Sequence, residues 1–236
     1  MSENILIAGA TGRTGSLIVN RLLQHGVQPH VLIRDLASAK KLFGDAVIYH
    51  QGDIRQIASL IEPMQSIQTV IAAVGASSPV GKNCPYRVDY KGVENLVKTA
   101  EDQGVKRFIL ISSIAVTHTK HPLNCFGKVL DWKFKGEEVL RRRSMTYAII
   151  RPGGLLAVPG GKHNLVFDQG DQIMGTISRE DVAEICIQAA FYPGQLQHTF
   201  EVIEGDQKRE EIHWNTLLAS LAFDETKVAP IQTVEH

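Results

Sequence analysis

Residues 5–15 read Ile-Leu-Ile-Ala-Gly-Ala-Thr-Gly-Arg-Thr-Gly, and this stretch decides how the chain folds. Its first four residues are apolar and predict a short buried strand. Gly9, Gly12 and Gly15 follow, and the apolar residues after them fall on one face, as in an amphipathic helix. The stretch therefore predicts a strand, a tight glycine turn and a helix.

A strand, glycine turn and helix in this order build a site for a pyrophosphate group. Gly9 allows the tight exit from the strand, Gly12 lets the backbone approach the phosphates, and Gly15 lets the helix pack closely on the sheet. The helix N-terminus offers free N–H groups and a positive dipole end. Thr11 and Thr14 add hydroxyl donors. The flanking strand and helix disfavour the alternative, a glycine-rich turn that binds nothing.

The chain up to about residue 152 repeats a strand followed by a helix. The predicted strands are short and mostly apolar on both faces, as parallel strands covered by helices are. They are Ile5–Ala8, His30–Ile33, Ala46–Tyr49, Val70–Val74, Phe108–Ser112 and Tyr147–Ile150. The predicted helices are Gly12–His25, Arg55–Ile61, Asp89–Gln103 and Lys128–Arg142. This alternation predicts an α/β fold with a Rossmann-like, doubly wound parallel sheet that binds ligands at the carboxyl ends of its strands.

Beyond residue 152 the pattern changes to a Gly/Pro-rich stretch and shorter elements. They are a strand at Leu165–Phe167, a helix capped by Ser178 with Asp181 in a capping box and running to Tyr192, a strand at His198–Ile203 and a helix at Glu210–Leu221. We expect a single domain over residues 1–236. It would comprise a cofactor-binding core over about 1–152 and a small C-terminal, substrate-side extension over about 153–236.

Composition excludes several functional classes. Lys plus Arg equal Asp plus Glu at 25 each, so no charge excess favours nucleic acid or an anionic membrane. No apolar stretch approaches the length of a membrane span, and the first strand begins so early that we expect no signal peptide. Three widely spaced cysteines, Cys84, Cys125 and Cys186, predict neither disulfide nor metal site, and hence a reducing cytoplasm.

A set of further motifs carries a family resemblance. The set consists of residues 9–15, Gly52-Asp53, Asp89-Tyr-Lys-Gly-Val93, Gly104-Val-Lys-Arg-Phe108, Ile111-Ser-Ser113, Tyr147-Ala-Ile-Ile-Arg-Pro-Gly-Gly154 and Arg179-Glu-Asp-Val-Ala183. Together these motifs resemble the atypical short-chain dehydrogenase/reductase group, the NmrA-like or NAD(P)H-binding family, from about Asn4 to Glu204. The resemblance implies an NAD(P)H cofactor. It also implies relatives that reduce flavins, biliverdin or quinones, and others that bind NADP as redox sensors or assembly factors.

The end of the second strand bears on the choice between NADP and NAD. An NAD site places a carboxylate there, about 20 residues past the glycines, for the ribose hydroxyls. Here the strand is followed by Arg34, whose planar cation suits a 2′-phosphate, and Arg13 in the glycine turn could close on the same group. Asp35 as a ribose ligand is the rival interpretation. We predict NADP, with NAD remaining possible.

The resemblance implies roles for further residues along the cofactor. Asp53 and Ile54 resemble the adenine contacts of the family, although a turn residue or N-cap is the alternative for Asp53. Val74 and Gly75 would pass beneath the adenosine ribose, where a side chain would collide. Pro152 and Gly153 correspond to backbone that lines the nicotinamide pocket.

The catalytic positions depart from the family pattern. Short-chain dehydrogenases usually carry Tyr-x-x-x-Lys, in which the tyrosine transfers a proton. The resemblance places the lysine at Lys133, so that Val129 stands in the tyrosine position. A competing register uses Lys135 and puts Asp131 there, again without a phenol.

A serine is the other catalytic candidate that the resemblance supplies. Ser113, or its neighbour Ser112, matches the serine that hydrogen-bonds a substrate carbonyl, and a satisfied hydroxyl at a strand end is the alternative. His118 or His121 could replace the missing proton donor. A solvated loop pair fits both histidines better than a metal site, because no third ligand stands near them in sequence.

Loss of the tyrosine limits the chemistry. An alkoxide formed from a ketone needs a proton at once, whereas charge on a reduced flavin, quinone or tetrapyrrole delocalises and solvent can protonate it later. We therefore predict an NADP(H)-binding oxidoreductase that reduces a flat, conjugated small-molecule acceptor by direct hydride transfer. The alternative is a non-catalytic NADP(H)-binding redox sensor or assembly factor with a partner protein.

Overall fold

The computed structural model describes residues 4–225, so the ends of the predicted 1–236 domain lie outside the described residues. The strands are β1 (Ile5–Ala8), β2 (His30–Ile33), β3 (Ile48–Gln51), β4 (Thr69–Ala72), β5 (Arg107–Ile111), β6 (Thr146–Pro152), β7 (Gly154–Leu156), β8 (His163–Asp168), β9 (Thr176–Ser178) and β10 (Gln197–Lys208). The helices are α1 (Arg13–Gln24), α2 (Leu36–Phe43), α3 (Lys91–Asp102), α4 (Val129–Arg141), α5 (Arg179–Phe191) and α6 (Trp214–Ser220).

Eight strands form one sheet in the order β3-β2-β1-β4-β5-β6-β10-β8. All neighbours in this sheet are parallel except β8, which pairs antiparallel with β10, and β7 and β9 form a separate parallel pair. The order reverses between β1 and β4, which confirms the predicted Rossmann-like, doubly wound sheet. Because β10 and β8 extend the same sheet, residues 4–225 form a single domain, while the predicted extent of 1–236 and the boundary near residue 152 stay predictions.

The sheet is covered on both faces because successive strand residues point in opposite directions. In β1, Ile5 and Ile7 pack with the buried residues of α1 and α5, whereas Leu6 and Ala8 pack with those of α3. Both sets are fully buried. Apolar residues on both faces of the central strands therefore place the helices in two layers, one on each face of the sheet.

The predicted helices do not include α2, which begins directly after Asp35, the rival ribose ligand. The Asp35 carboxylate caps α2 by accepting the Ser38 N–H at 2.6 Å. The predicted helix Arg55–Ile61 is only a 3₁₀ turn over Ile57–Leu60, and the third strand begins at Ile48 rather than Ala46. Predicted boundaries therefore fail where the local signals are caps and turns.

The predicted capping box at α5 forms only in part. Ser178 Oγ accepts the Glu180 N–H at 3.1 Å, as an N-cap does. Asp181 accepts the Gly161 N–H at 2.9 Å instead of reaching back to Ser178. Asp181 therefore ties the glycine-rich segment before β8 to the start of α5.

Two histidines on the outer strands form a half-buried pair. His30 Nδ1 lies 2.8 Å from His50 Nε2, and the rings are stacked. Burial, and for His30 also the neighbouring His50, lowers both pKa values, although Glu62 opposes this at His50. The folded protein therefore resists protonation of this pair more than the unfolded chain does.

We predict that the free energy of unfolding falls as the pH is lowered from 7.5 to 5.5. The unfolded histidines gain protons below about pH 6.5 while the folded ones do not, so stability present above that pH is lost as it falls. Urea denaturation at both pH values measures the change. The double variant His30→Asn/His50→Gln should show a clearly smaller fall, and an equally steep fall in that variant would contradict the assignment.

Candidate functional site

The glycine turn lies at the carboxyl edge of the sheet, between β1 and β4. Gly9 has a φ of +84°, and a Cβ on it would lie 2.5 Å from the Ala73 carbonyl oxygen. A Cβ on Gly15 would overlap the Gly9 carbonyl oxygen. Gly12 is the N-cap of α1, and the first turn of α1 has no acidic residue and no side-chain cap. The helix therefore presents free N–H groups at the edge, and an anion fits them.

A cavity of about 310 Å³ adjoins this turn. Its lining includes the predicted cofactor residues Gly9, Thr11, Gly12, Arg34, Asp53, Ile54, Val74 and Gly75. Arg13, Thr14 and Gly15 stand at the start of α1 instead. A more open depression of about 560 Å³ lies at the amino ends of β4, β5 and β6 and contains none of the predicted site residues. The structure thus gathers most of the predicted cofactor residues around one cavity.

Two cavity residues, Arg55 and Asn83, were missed from the sequence. Arg55 Nε lies 2.9 Å from Asp53 Oδ1, and this side-chain hydrogen bond holds the pKa of Asp53 below its usual value against the opposing effect of burial. The Asp53 carboxylate predicted to meet adenine is thus already engaged. The available sequence signal was an arginine two positions after the aspartate.

The residues weighed for the 2′-phosphate separate in the structure. Arg34 lines the cavity, whereas Asp35 caps α2 and does not. Arg13 is not a lining residue either. It lies close to Arg179, whose pKa is lowered by burial and by the Arg13 charge. Of Arg34, Asp35 and Arg13, only Arg34 lines the cavity.

Lys133 points inward from α4 and forms an ion pair with Asp89. Its Nζ lies 2.8 Å from Asp89 Oδ1, and the Asp89 side chain is fully buried. Asp89 Oδ2 accepts the Ala76 N–H at 3.0 Å. The competing Lys135 lies with its Nζ 4.7 Å from the Trp132 ring centre, outside this cluster. The geometry therefore favours the Lys133 register. Asp89 is a further candidate site residue, which the sequence analysis named only as part of the motif at residues 89–93.

The serines follow the end of β5 beside this ion pair. Ser112 lines a narrow cleft with Lys133, Asp89 and Val74. Its Oγ is buried and has no hydrogen-bond partner within residues 4–225. Ser113 is partly exposed at the carboxyl edge. An orphaned buried hydroxyl is costly, so the Ser112 hydroxyl is a candidate hydrogen-bond partner for a polar group that reaches the narrow cleft.

No proton donor stands where the tyrosine would be. Val129 opens α4 and packs against Ala115, Val116 and Leu130. Asp131, from the other register, accepts a hydrogen bond from Asn124 Nδ2 at 2.9 Å.

Within residues 4–225 there is no cluster of three or more His, Cys, Asp or Glu that could hold a metal ion, and no helix long and apolar enough to cross a membrane.

Arg151 joins the elements around this end of the site. It is buried in β6, one residue before Pro152, and its Nη2 lies 2.7 Å from Glu137 Oε2 on α4. Its Nη1 lies 3.1 Å from Glu201 Oε1 on β10. Glu137 stands one helical turn after Lys133. The sequence signal that was missed is a charged residue within an apolar strand.

Asp171 extends the same network to the loop after Ser113. Its N–H donates to Glu201 Oε2 at 2.7 Å, and its carboxylate accepts the N–H groups of Ala115 at 2.6 Å and Thr117 at 2.8 Å. Burial opposes ionisation, but the hydrogen bonds leave the pKa of Asp171 lowered. Buried charges therefore connect α4, which bears Lys133, with β6, which bears Pro152, and with the loop that follows Ser113.

We predict that Arg151→Met lowers the free energy of unfolding by about 3–5 kcal/mol, because it removes the counter-charge of buried Glu201 and leaves buried Glu137 paired with Arg141 alone. Urea denaturation measures this. Arg142→Met is the matched control. Arg142 is 69% exposed and pairs with Glu138 at 3.7 Å, so its loss should cost at most about 1 kcal/mol. Equal losses in the two variants would contradict the central role of Arg151.

Comparisons with known proteins extend these findings. The chain matches the family profile described as NAD(P)H-binding over residues 9–193. An uncharacterised chloroplast protein of Arabidopsis thaliana is 33% identical over 86% of this chain and 76% of that protein. Sanguinarine reductase of Eschscholzia californica is 31% identical over 78% of this chain and 83% of that enzyme. A second Arabidopsis chloroplast protein is 31% identical over 78% of this chain, and the match spans only 64% of that protein.

Solved structures share the fold. A protein of Bacillus halodurans described as an NAD-dependent epimerase/dehydratase superposes with a TM-score of 0.79 at 23% identity, over 93% of this chain and all of its own. The anaerobillin reductase ChuY of Escherichia coli O157:H7 superposes at 0.74 with 25% identity, over 88% of this chain and 100% of that chain. These likenesses confirm the predicted Rossmann-like fold.

The predicted cytoplasmic location is contradicted by these relatives. Both Arabidopsis proteins are chloroplastic, as is the Arabidopsis protein TIC 62, which is 30% identical over 77% of this chain and 32% of its own length. The relatives favour the chloroplast over the cytoplasm. The prediction was wrong because cysteine content separates oxidising from reducing compartments and does not separate one reducing compartment from another.

Proposed function

Because this chain belongs to the NAD(P)H-binding family of oxidoreductases, we propose that it is an NADPH-dependent reductase of a flat, conjugated small-molecule acceptor. The observation that carries the proposal is the carboxyl edge of the sheet. There the glycine turn, the cavity beside Arg34 and the Lys133–Asp89 pair lie in succession, and Val129 replaces the usual proton donor. Bound NADPH would supply the hydride.

The charges of the cavity support NADPH over NADH. Arg34 lines it, and Asp35, the rival ligand for a ribose diol, is committed to the Ser38 N–H. A guanidinium that lines the cavity while Asp35 is turned to α2 suits a 2′-phosphate. NADP is therefore the nucleotide that we propose.

The acceptor end supports an orienting role for the protein. Lys133 is held by Asp89, and Ser112 offers an unpaired hydroxyl nearby. Both can hold polar groups of a ligand, but Val129 can neither give nor take a proton. A site of this kind works mainly by bringing two reactants close, which suffices when the acceptor delocalises the charge that it receives.

We place the acceptor between three segments, residues 75–87, 115–126 and 152–162. Asp171 fixes the second segment through Ala115 and Thr117, and Asp181 fixes the third through Gly161. The relatives named as reductases of sanguinarine and of anaerobillin support a reductase. They leave the acceptor of this chain to experiment.

We predict that Gly75→Ala leaves the melting temperature unchanged but weakens NADPH binding about tenfold or more, because overpacking against a ligand typically costs 1–3 kcal/mol. A Cβ at Gly75 would meet no protein atom nearer than Asp89 Oδ1 at 3.9 Å. Only a ligand passing over Gly75 would collide with it. Calorimetric titration measures the affinity, and wild-type affinity in the variant would place the cofactor elsewhere.

We predict saturable NADPH oxidation at 340 nm with at least one of FMN, a quinone and biliverdin. Lys133→Met should lower kcat/KM roughly 10- to 100-fold through lost orientation. Lys135→Met, two residues away but directed at Trp132, is the matched control and should retain activity.

The same assay separates the reductase from the sensor. NADPH binding without turnover on any acceptor would favour the redox sensor. The absence of the tyrosine also supports the sensor. A larger loss in Lys135→Met than in Lys133→Met would support the other register. No NADPH binding at all would contradict both functions.

A further inference from the structure

Two arginines in the cavity direct their guanidinium groups at one atom. Arg55 Nη1 lies 2.9 Å from Asn83 Oδ1, and Arg34 Nη1 lies 3.5 Å from the same oxygen. Arg34 follows β2 and Arg55 follows β3, so neighbouring strands bring the two side chains together. The single amide oxygen thus occupies a position that is accessible to two cations.

Arg55 is fixed in this position rather than free in solvent. The Asp53 carboxylate accepts two hydrogen bonds from Arg55. Arg55 Nε lies 2.9 Å from Asp53 Oδ1, and Arg55 Nη2 donates to Asp53 Oδ2. The Lys82 carbonyl oxygen accepts from Nη1 at 3.0 Å. These contacts hold the guanidinium plane toward Asn83 without using all of its donors, since guanidinium has five N–H groups.

The charges of the cavity lining do not balance around that oxygen. The charged side chains in the lining are Arg34, Arg55 and Asp53, so two positive charges face one negative charge. Asp53 forms its hydrogen bonds with Arg55, whereas the side-chain hydrogen bond of Arg34 goes to the neutral amide of Asn83, although the Arg34 charge also helps to lower the pKa of Asp53. A charged oxygen forms stronger hydrogen bonds with guanidinium than an amide oxygen does. The pair therefore favours a dianionic group in place of Asn83 Oδ1.

We propose that Arg55 is a second specificity-determining residue for the nucleotide and that the 2′-phosphate of NADP binds between Arg34 and Arg55, displacing the Asn83 side chain. This inference rests on the proposed function and adds a residue to it. Asp53 then acts through Arg55, orienting its guanidinium group for the phosphate. NADH, which lacks the phosphate, gains nothing from Arg55.

Calorimetric titration of NADPH and NADH into the full chain tests this assignment. Arg55→Gln should weaken NADPH binding about tenfold or more, as expected for a lost charge-assisted contact, and should change NADH binding by less than about threefold. Asn83→Ala should leave NADPH binding unchanged or tighter, because Asn83 only stands where the phosphate goes. Adenosine 2′-monophosphate, a probe without nicotinamide, should lose affinity for Arg55→Gln as NADPH does.

Other outcomes overturn the assignment. An equal loss of affinity for NADPH and NADH in Arg55→Gln would mean that Arg55 orders the adenine pocket and does not bind the 2′-phosphate. A large loss in Asn83→Ala would make Asn83 a ligand rather than a placeholder. Wild-type protein that binds neither nucleotide would overturn the proposed function itself. Because Arg55 is partly exposed, an unchanged melting temperature in Arg55→Gln separates lost binding from lost folding.

Discussion

A buried guanidinium sets the arrangement of the end of the site where we propose that the acceptor binds. Arg151 lies inside the sheet, where an uncompensated charge would cost several kcal/mol, and it is neutralised by Glu137 and Glu201. Those partners come from α4 and β10, and Glu201 passes the constraint on to Asp171. Because each charge must keep its partner, the strands, the helix and the loop after β5 hold one relative position.

The two ends of the site are formed by different kinds of groups. At the end where we propose that the nucleotide binds, glycines allow close approach of the backbone and a helix N-terminus supplies donors, beside the side chains of Arg34 and Arg55. At the proposed acceptor end, Lys133 depends on Asp89 and the serine loop depends on Asp171. This second end depends on buried polar contacts, whose loss is expensive.

The fold could be predicted largely because its signals are local. Apolar runs on both faces of the central strands require helices on both sides, and the glycine turn marks the first crossover, so β1, β2 and α1 were found nearly to the residue. The predictions failed where the local signals are weak. Helix α2 depends on a single cap at Asp35, and β3 is a partly exposed strand with a weak apolar pattern.

The sequence by itself determined the doubly wound sheet, the glycine turn, half of the cavity lining and the absence of a tyrosine at Val129, since each is encoded in short local motifs. Only the tertiary structure decided which side chains meet. It brought Lys133 to Asp89, Arg55 to Asn83 and Asp171 to Ala115. These pairs are far apart in the chain, and their contacts follow from strand order and helix packing, which no local pattern specifies.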